Sequence, residues 1–332
     1  MLPTAADVHV DAALTNISIA FMQNANNFVA SRVFPIVPVA KQSDRYFTID
    51  RGDFNRDEAQ KRAPGTESAG GGYRIDNTPT YYCDVYAFHK DIPDQIVANA
   101  DDALDLQSAA SDFVAHKMLI KMEKDWATTY FAGGLWTNDV NGVAASAGTG
   151  EVLQWNDTSS DPIGNIRAAI TAIEESTGFT PNTLTIGKHV MDALEDHPDI
   201  VDRIKYSGMT GRDGNPARVN ENTLAQLFGL ERVLVCRAIE NTAAEGATNS
   251  HSFILGKKAL LTYSPPSPNR LTPTAGYTFV WNGYLNQNNG MGFATSRFRM
   301  DSLKSERVEG EMAFDQKLIA ADLGYFWDTI VA

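Results

Sequence analysis

The six histidines, at positions 9, 89, 116, 189, 197 and 251, are the residues of this chain best suited to move a proton or hold a metal. His189 and His197 come nearest to a site, because Asp192, Glu195 and Asp196 lie between them and add oxygen donors. The spacing matches no zinc pattern, and two helical residues eight apart are separated by more than two turns, ~12 Å. The segment reads instead as an acidic, solvated helix end broken at His197-Pro198. Ala144-Ala-Ser-Ala-Gly148 approaches a nucleophile elbow, which requires a buried strand before the serine and a helix after it. Polar, glycine-rich sequence flanks it on both sides, so Ser146 reads as loop. Gly70-Gly-Gly72 neither follows a buried strand nor opens a helix, which excludes a phosphate-cradling loop and leaves flexibility as its role. Asp57-Glu58 and Glu174-Glu175 read as solvated charge. Cys83 and Cys236 sit far apart in separate apolar runs, as two buried thiols of a cytoplasmic protein and not a disulfide framework. The expectation is a protein that is not an enzyme, with no catalytic residue, no cofactor and no metal.

The elements around these residues say more than the residues do. Arg45 to Phe54 alternates like a strand, and Tyr81 to Phe88 alternates again. Between them, positions 55–72 contain no Val, Leu, Ile, Met or aromatic residue. A hairpin of this size has nothing to bury against itself, and an isolated two-stranded hairpin is marginal in water. It is either disordered or lies on another subunit, so the sequence points to assembly ahead of chemistry. After Ile92-Pro93 a helix capped by Asp101 or Asp102 runs to Phe131 and stops at Gly133-Gly134. Leu106, Phe113 and Ile120 share one face, with Ala110, Val114, Met118 and Met122 on an adjoining one. Asp105, Asp112, His116 and Glu123 fall on a polar stripe. So broad an apolar surface predicts a structural spine packed on two sides.

Upstream, the sequence predicts a short helix over Leu14 to Met22, then Phe34-Pro-Ile-Val-Pro-Val39, whose prolines allow only an edge or docking strand. Downstream, Val152 to Trp155 reads as a short strand, and Pro162 opens a helix that closes at Gly178. A strand over Thr183–Ile186 and helices over His189–Leu194 and Ile200–Lys205 follow. Positions 207–220 read as a mobile loop, Thr223–Phe228 as a helix, and Arg232–Cys236, Phe253–Leu255 and Ala259–Tyr263 as strands. Phe293 to Ile330 reads as long amphipathic strands. The predicted class is α+β.

Bulk properties bound the function. The chain of 332 residues carries a formal charge of −13, which counts against a sequence-independent clamp on nucleic acid. The N-terminus lacks a signal-peptide pattern and no apolar run approaches the ~20 residues that span a bilayer, so no membrane role is expected.

In order and spacing, these pieces resemble the major capsid proteins of tailed double-stranded DNA bacteriophages, with the Hong Kong 97-type fold. The resemblance covers nearly the whole chain. It is carried by the N-terminal arm, the hairpin, the spine-like helix, and Pro181-Asn-Thr-Leu-Thr-Ile-Gly-Lys188 with Ala193-Leu-Glu-Asp-His-Pro-Asp-Ile-Val-Asp-Arg-Ile-Lys205. Leu224-Ala-Gln-Leu-Phe-Gly-Leu230, Leu260-Leu-Thr-Tyr-Ser-Pro-Pro266 and Gly276-Tyr-Thr-Phe-Val-Trp281 continue it. It implies an N-terminal arm at 1–44, an extended loop hairpin at 45–92 overlapping a neighbouring subunit, and a peripheral domain at 93–170 with a spine helix at 103–131. It further implies an axial domain at 171–300, whose loops meet at capsomer centres, and peripheral strands at 301–332.

The family implies self-assembly as hexamers and pentamers into an icosahedral head around packaged double-stranded DNA, contacted non-specifically. The shell would form in the bacterial host cytoplasm and become the virion capsid. Only about 40 residues precede the hairpin, which implies a separate scaffolding protein, alongside a portal and a decoration protein. Within the hairpin, Arg45, Arg51, Asp53, Arg56, Asp57, Glu58, Lys61, Arg62, Glu67 and Arg74 are the expected inter-subunit contacts, since charge pairs across an interface set register and exclude wrong partners. Lys61 is the only lysine well inside the loop, but no acceptor for a crosslink is identifiable. Two alternatives remain: an encapsulin-type nanocompartment shell, which shares the fold, and an α/β hydrolase with the hairpin as its lid, which would need a nucleophile–base pair.

Overall fold

A computed structural model describes residues 23–49, 51–99, 106–206, 219–265, 273–285 and 293–332. The expected helix over Leu14–Met22, the caps Asp101 and Asp102, residue Asp50 and most of the 207–220 loop lie outside the described residues.

The first part of the chain is a short helix α1 (Ala30–Val33) and strands β1 (Ile36–Val39), β2 (Ser43–Arg45) and β3 (Thr48–Ile49), followed by a helical turn α2 (Arg51–Phe54). Strands β4 (Ile75–Asp76), β5 (Thr80–Tyr82) and β6 (Asp84–Pro93) return to a helix α3 (Asp94–Asn99) and the long helix α4 (Leu106–Tyr130). The middle contains β7 (Asn138–Val143), β8 (Glu151–Leu153), α5 (Pro162–Thr177), β9 (Thr183–Gly187), α6 (Lys188–Asp196), α7 (Pro198–Tyr206), α8 (Glu221–Phe228) and β10 (Arg232–Cys236). The last part holds β11 (Ile239–Asn241), β12 (His251–Phe253), β13 (Ala259–Thr262), β14 (Gly276–Trp281), β15 (Phe293–Met300), β16 (Ser305–Leu318) and β17 (Gly324–Asp328).

Local signals act where the sequence places them. Asp161 accepts a hydrogen bond from the Gly164 N–H at 2.8 Å, Pro162 starts α5 without losing a bonded donor, and Gly178 ends it at φ 75°. Pro38 confines β1 to a sheet edge, where it pairs in parallel with β14.

Two sheets form the body. One has β16 at its centre, with β6 along one side and β15 and β14 along the other, and β1 beyond β14. The second runs β10-β9-β13-β17-β7-β8. This pairing cuts across the expected boundaries. Strands β14 and β15, assigned to the 171–300 segment, bond to β16, whereas β7 and β8, assigned to 93–170, close the second sheet through β17. The cause is that the chain leaves the first sheet after β16 and β17 pairs between β13 and β7, partners too far apart in sequence for a chain-order reading to join.

The second sheet is buried on both faces, which is why β9 has no exposed residue. Leu184, Ile186, Val233, Val235, Leu261 and Trp327 pack on one face against Ile166 and Ile173 of α5, Met191 and Leu194 of α6, and Leu224 of α8. Their sequence neighbours Leu234, Leu260 and Phe326 point the other way, into a cluster with Trp126, Phe131, Phe28 and Phe34.

Helix α4 joins the two sheets. From Ala110 to Met122 it lays Ala110, Met118 and Met122 on the first sheet, against Ile92, Val308, Met312, Phe314 and Val280. Gly310 of β16 lies under Val114, and any Cβ there would collide with it. Its second half turns Trp126, Ala127 and Tyr130 into the second core. Packing on two sides is therefore what the helix does, but the polar stripe is corrected at one residue. Glu123 is buried, 1% exposed, because the segment before α1 covers it. Its Oε2 accepts hydrogen bonds from the backbone N–H groups of Val29 and Ala30, both at 2.9 Å, and the Cys236 thiol lies 3.5 Å from Oε1. These donors open α1 and have no partner within so short a helix.

Candidate inter-subunit arm

The hairpin is rooted on the outer face of the first sheet. Ser43, Asp44 and Arg45 pair with Tyr82, Tyr81 and Thr80. Tyr81 stacks on Phe279 at 4.6 Å, Tyr46 packs on the same ring at 5.5 Å, and Cys83 is buried beside them. Beyond the root, among the described residues, only Thr48–Ile49 and Ile75–Asp76 remain paired as strands, and 55–74 contains no helix or strand. The expected strand from Arg45 to Phe54 is thus broken: α2 replaces its last part, where Gly52 and Asp53 disfavour an extended ladder.

The ten charged residues expected to reach another subunit divide into three: five that pair within the arm, one that pairs with the body and four that form no ion pair among the described residues. Asp53 accepts from the Arg74 backbone N–H at 3.0 Å and its Nε at 3.2 Å, and pairs with Arg56 at 3.2 Å. The Arg74 backbone and guanidinium groups hold the Asp53 carboxyl below the ordinary carboxylate range. Arg56 also approaches Glu58 at 3.6 Å, Arg51 pairs with Asp322 of the body, and Arg62 Nε donates to the Thr66 carbonyl at 2.5 Å. Arg45, Asp57, Lys61 and Glu67 are exposed and form no ion pair among the described residues. Half of the set, Asp53, Arg56, Glu58, Arg62 and Arg74, therefore holds the arm's own shape, and Arg51 ties the arm to the body.

The side chains that sequence reasoning missed are apolar. Phe47 is 72% exposed, Phe54 60%, Tyr73 56% and Ile75 56%. Phe54 and Tyr73 touch each other at 5.3 Å, and Ile49 opposes Ile75 across the short ladder. Burying such a side chain contributes about 1.5–3 kcal/mol. Together they represent several kcal/mol open to whatever covers the arm. Their signal in the sequence is the aromatic residues of 46–54 and 73–75 on a segment with no core of its own.

The other residues considered for chemistry take structural roles. His197 is buried, which corrects its reading as part of a solvated helix end. Its Nδ1 accepts from the Asp199 N–H at 3.3 Å, so the proton sits on Nε2, facing Ser160 Oγ at 3.2 Å and the Asp157 carbonyl at 3.3 Å. Ser160 in turn donates to the Asp157 carbonyl at 2.7 Å. This serine–histidine contact was not visible from spacing, and its hydrogen-bond direction is opposite to that of a general base. His189 packs edge-on against Phe253 at 5.2 Å. Ser146 occupies a turn at φ 55° on an exposed loop. Cys83 and Cys236 are buried free thiols, and burial pushes the Cys83 thiol up to about 12 and raises that of Cys236 further. Among the described residues no cluster of three or more His, Cys, Asp or Glu could hold a metal, and no helix is long and apolar enough to cross a membrane.

Compared with known proteins, the chain is 25% identical to the major capsid protein of Burkholderia phage BcepMu over 328 residues, covering 95% of each. It is 26% identical to the major capsid protein of Pseudomonas phage JBD67, covering 97% of each. No family model matches. Among solved structures, a phage-related protein of Bordetella bronchiseptica aligns with a TM-score of 0.66 at 21% identity, over 92% of both chains. The capsid of cyanophage P-SCSP1u aligns at 0.58 with 12% identity, over 94% of this chain and 90% of that one. An encapsulin of Synechococcus elongatus aligns at 0.54 with 9% identity, over 97% and 95%. The architecture is the α+β fold of Hong Kong 97-type capsid proteins.

Proposed function

We infer that this chain is a phage major capsid protein, the repeating subunit of an icosahedral head. The observation that carries this is the arm. A single chain exposes Phe47, Phe54, Tyr73 and Ile75 on a projection tied to the body at its root and by the Arg51–Asp322 ion pair, and another copy is the simplest cover for them. End-to-end similarity to two major capsid proteins supports the same reading.

In this reading the 45–92 loop lies on a neighbouring subunit, with Arg45, Asp57, Lys61 and Glu67 free to select its register. The first sheet and α4 form the peripheral part of the subunit, and the second sheet with α5–α8 the axial part. Subunits gather into hexamers and pentamers around packaged double-stranded DNA in the bacterial cytoplasm. A separate scaffolding protein, a portal and a decoration protein complete the head. The chain contributes shape and contact, and no catalysis.

An encapsulin-type shell is the second reading, favoured by one structural neighbour at the level of fold alone. Sedimentation of the purified protein, then negative-stain microscopy of the heaviest fraction, tests assembly. Shells, hexamers or pentamers are expected. A monomer that stays monomeric with its scaffolding partner overturns the inference, and enclosed protein in place of DNA moves it to the encapsulin reading.

A further inference from the structure

Along the outer edge of the first sheet, Tyr86, Phe88 and Lys90 share one face of β6 and meet Phe113, Lys117 and Lys121, one turn apart on α4. Phe88 and Phe113 are each 38% exposed, with ring centres 5.9 Å apart. The Lys90 and Lys117 ammonium groups lie 5.2 and 5.4 Å from the centre of the Phe113 ring, and that of Lys121 lies 4.8 Å from the Tyr86 ring. Asp125 pairs with Lys121 at 2.8 Å, and Lys124, further along the helix, pairs with Glu240. Asp112 projects from the adjoining side of α4. No carboxylate among the described residues pairs with Lys90 or Lys117. In a chain of net charge −13, this is a local positive surface floored by exposed aromatic rings.

We propose that this ridge docks an acidic amphipathic helix of a second protein, which would set carboxylates against Lys90 and Lys117 and an apolar side chain on Phe88 and Phe113. The two features together select the partner. Duplex DNA presents phosphates but no apolar surface for the rings. Two free lysines would also release few counterions, for a salt slope of only about −2. An acidic amphipathic helix matches both the charge and the rings, and its apolar stripe recurs at the one-turn spacing with which Phe113, Lys117 and Lys121 are set. The ridge lies on the body and not on the arm, and it is present whether or not the chain builds a shell.

The test is fluorescence anisotropy of the full chain with a labelled synthetic helix of alternating Glu and Leu stripes. The controls are an all-Glu peptide of equal charge and a 20-base-pair duplex. The amphipathic helix is expected to bind at least tenfold more tightly than either control and to weaken with salt. Lys90→Glu with Lys117→Glu, and separately Phe113→Ser, should each cost tenfold or more. Lys117→Gln, a milder change at an exposed position, should weaken binding while leaving the thermal melt in place. The proposal is overturned if the helix does not bind, if the variants bind it unchanged, or if the duplex binds as tightly. It is also overturned if the lysine reversals abolish self-association, since the surface would then belong to a second copy of this chain.

Discussion

The arm and the spine treat polar and apolar groups in opposite ways. On the arm, charge is paired internally through Asp53, Arg56 and Arg74, while Phe47, Phe54 and Tyr73 stand in solvent. Along the second half of α4, Trp126 and Tyr130 are buried and a carboxylate, Glu123, goes in with them. The lesson is that charge alone does not mark an interface. Exposed pairs contribute little, so a segment can use them to hold its shape, and the unburied aromatic residues show where another surface must come. A buried carboxylate marks the reverse, a place where the chain has already found its partner in two orphan N–H groups.

Trp126→Ala should cost about 3–5 kcal/mol by emptying the junction between α4 and the second sheet. A thermal melt within a degree of the parent would show that this core is not where the stability lies. Deleting 55–72 should leave the melt nearly unchanged and abolish shells in sedimentation, whereas normal shells from the deletion would remove the arm from assembly. Phe54→Ser with Tyr73→Ser should keep the fold and weaken assembly more than Arg45→Ala with Lys61→Ala does. The opposite order would return the interface to its charges.

Glu123 gives a pH signature. Burial raises its carboxyl above the ordinary value, against the pull of the Ala30 and Val29 N–H groups. A raised folded value means that this group's contribution to stability is full below the unfolded carboxylate value and is lost as pH rises through the folded one. Glu123→Gln keeps an acceptor for both N–H groups, so it should be at least as stable as the parent near neutral pH and flatten the acid-side dependence in denaturant titrations. Glu123→Ala should cost about 1–3 kcal/mol by orphaning them. The smallest effect is expected from Arg56→Ala, within about 1 kcal/mol, because its pairs with Asp53 and Glu58 are exposed at the arginine.

Much of the fold was legible because its signals are local. Pro162 and Gly178 bracket α5, the prolines at 35 and 38 confine β1 to an edge, and the broad apolar surface of α4 announces a packed helix, although Phe113 of one predicted face stays exposed. The candidate site was legible only as a segment. Residues 55–72 announced that they have no core, but which side chains would face solvent depended on the turn at α2 and on Asp53 finding Arg74.

The α+β class, the arm, the spine and the two buried thiols thus follow from local signals, since caps, breakers and periodicity act within a few residues. Long-range packing settles that β17 joins the second sheet, that Glu123 is buried, that His197 faces Ser160, and that the arm's aromatic residues stay uncovered. Each of these depends on groups brought together from dozens to hundreds of positions apart, and pairing at that range is set by packing, which no local pattern records.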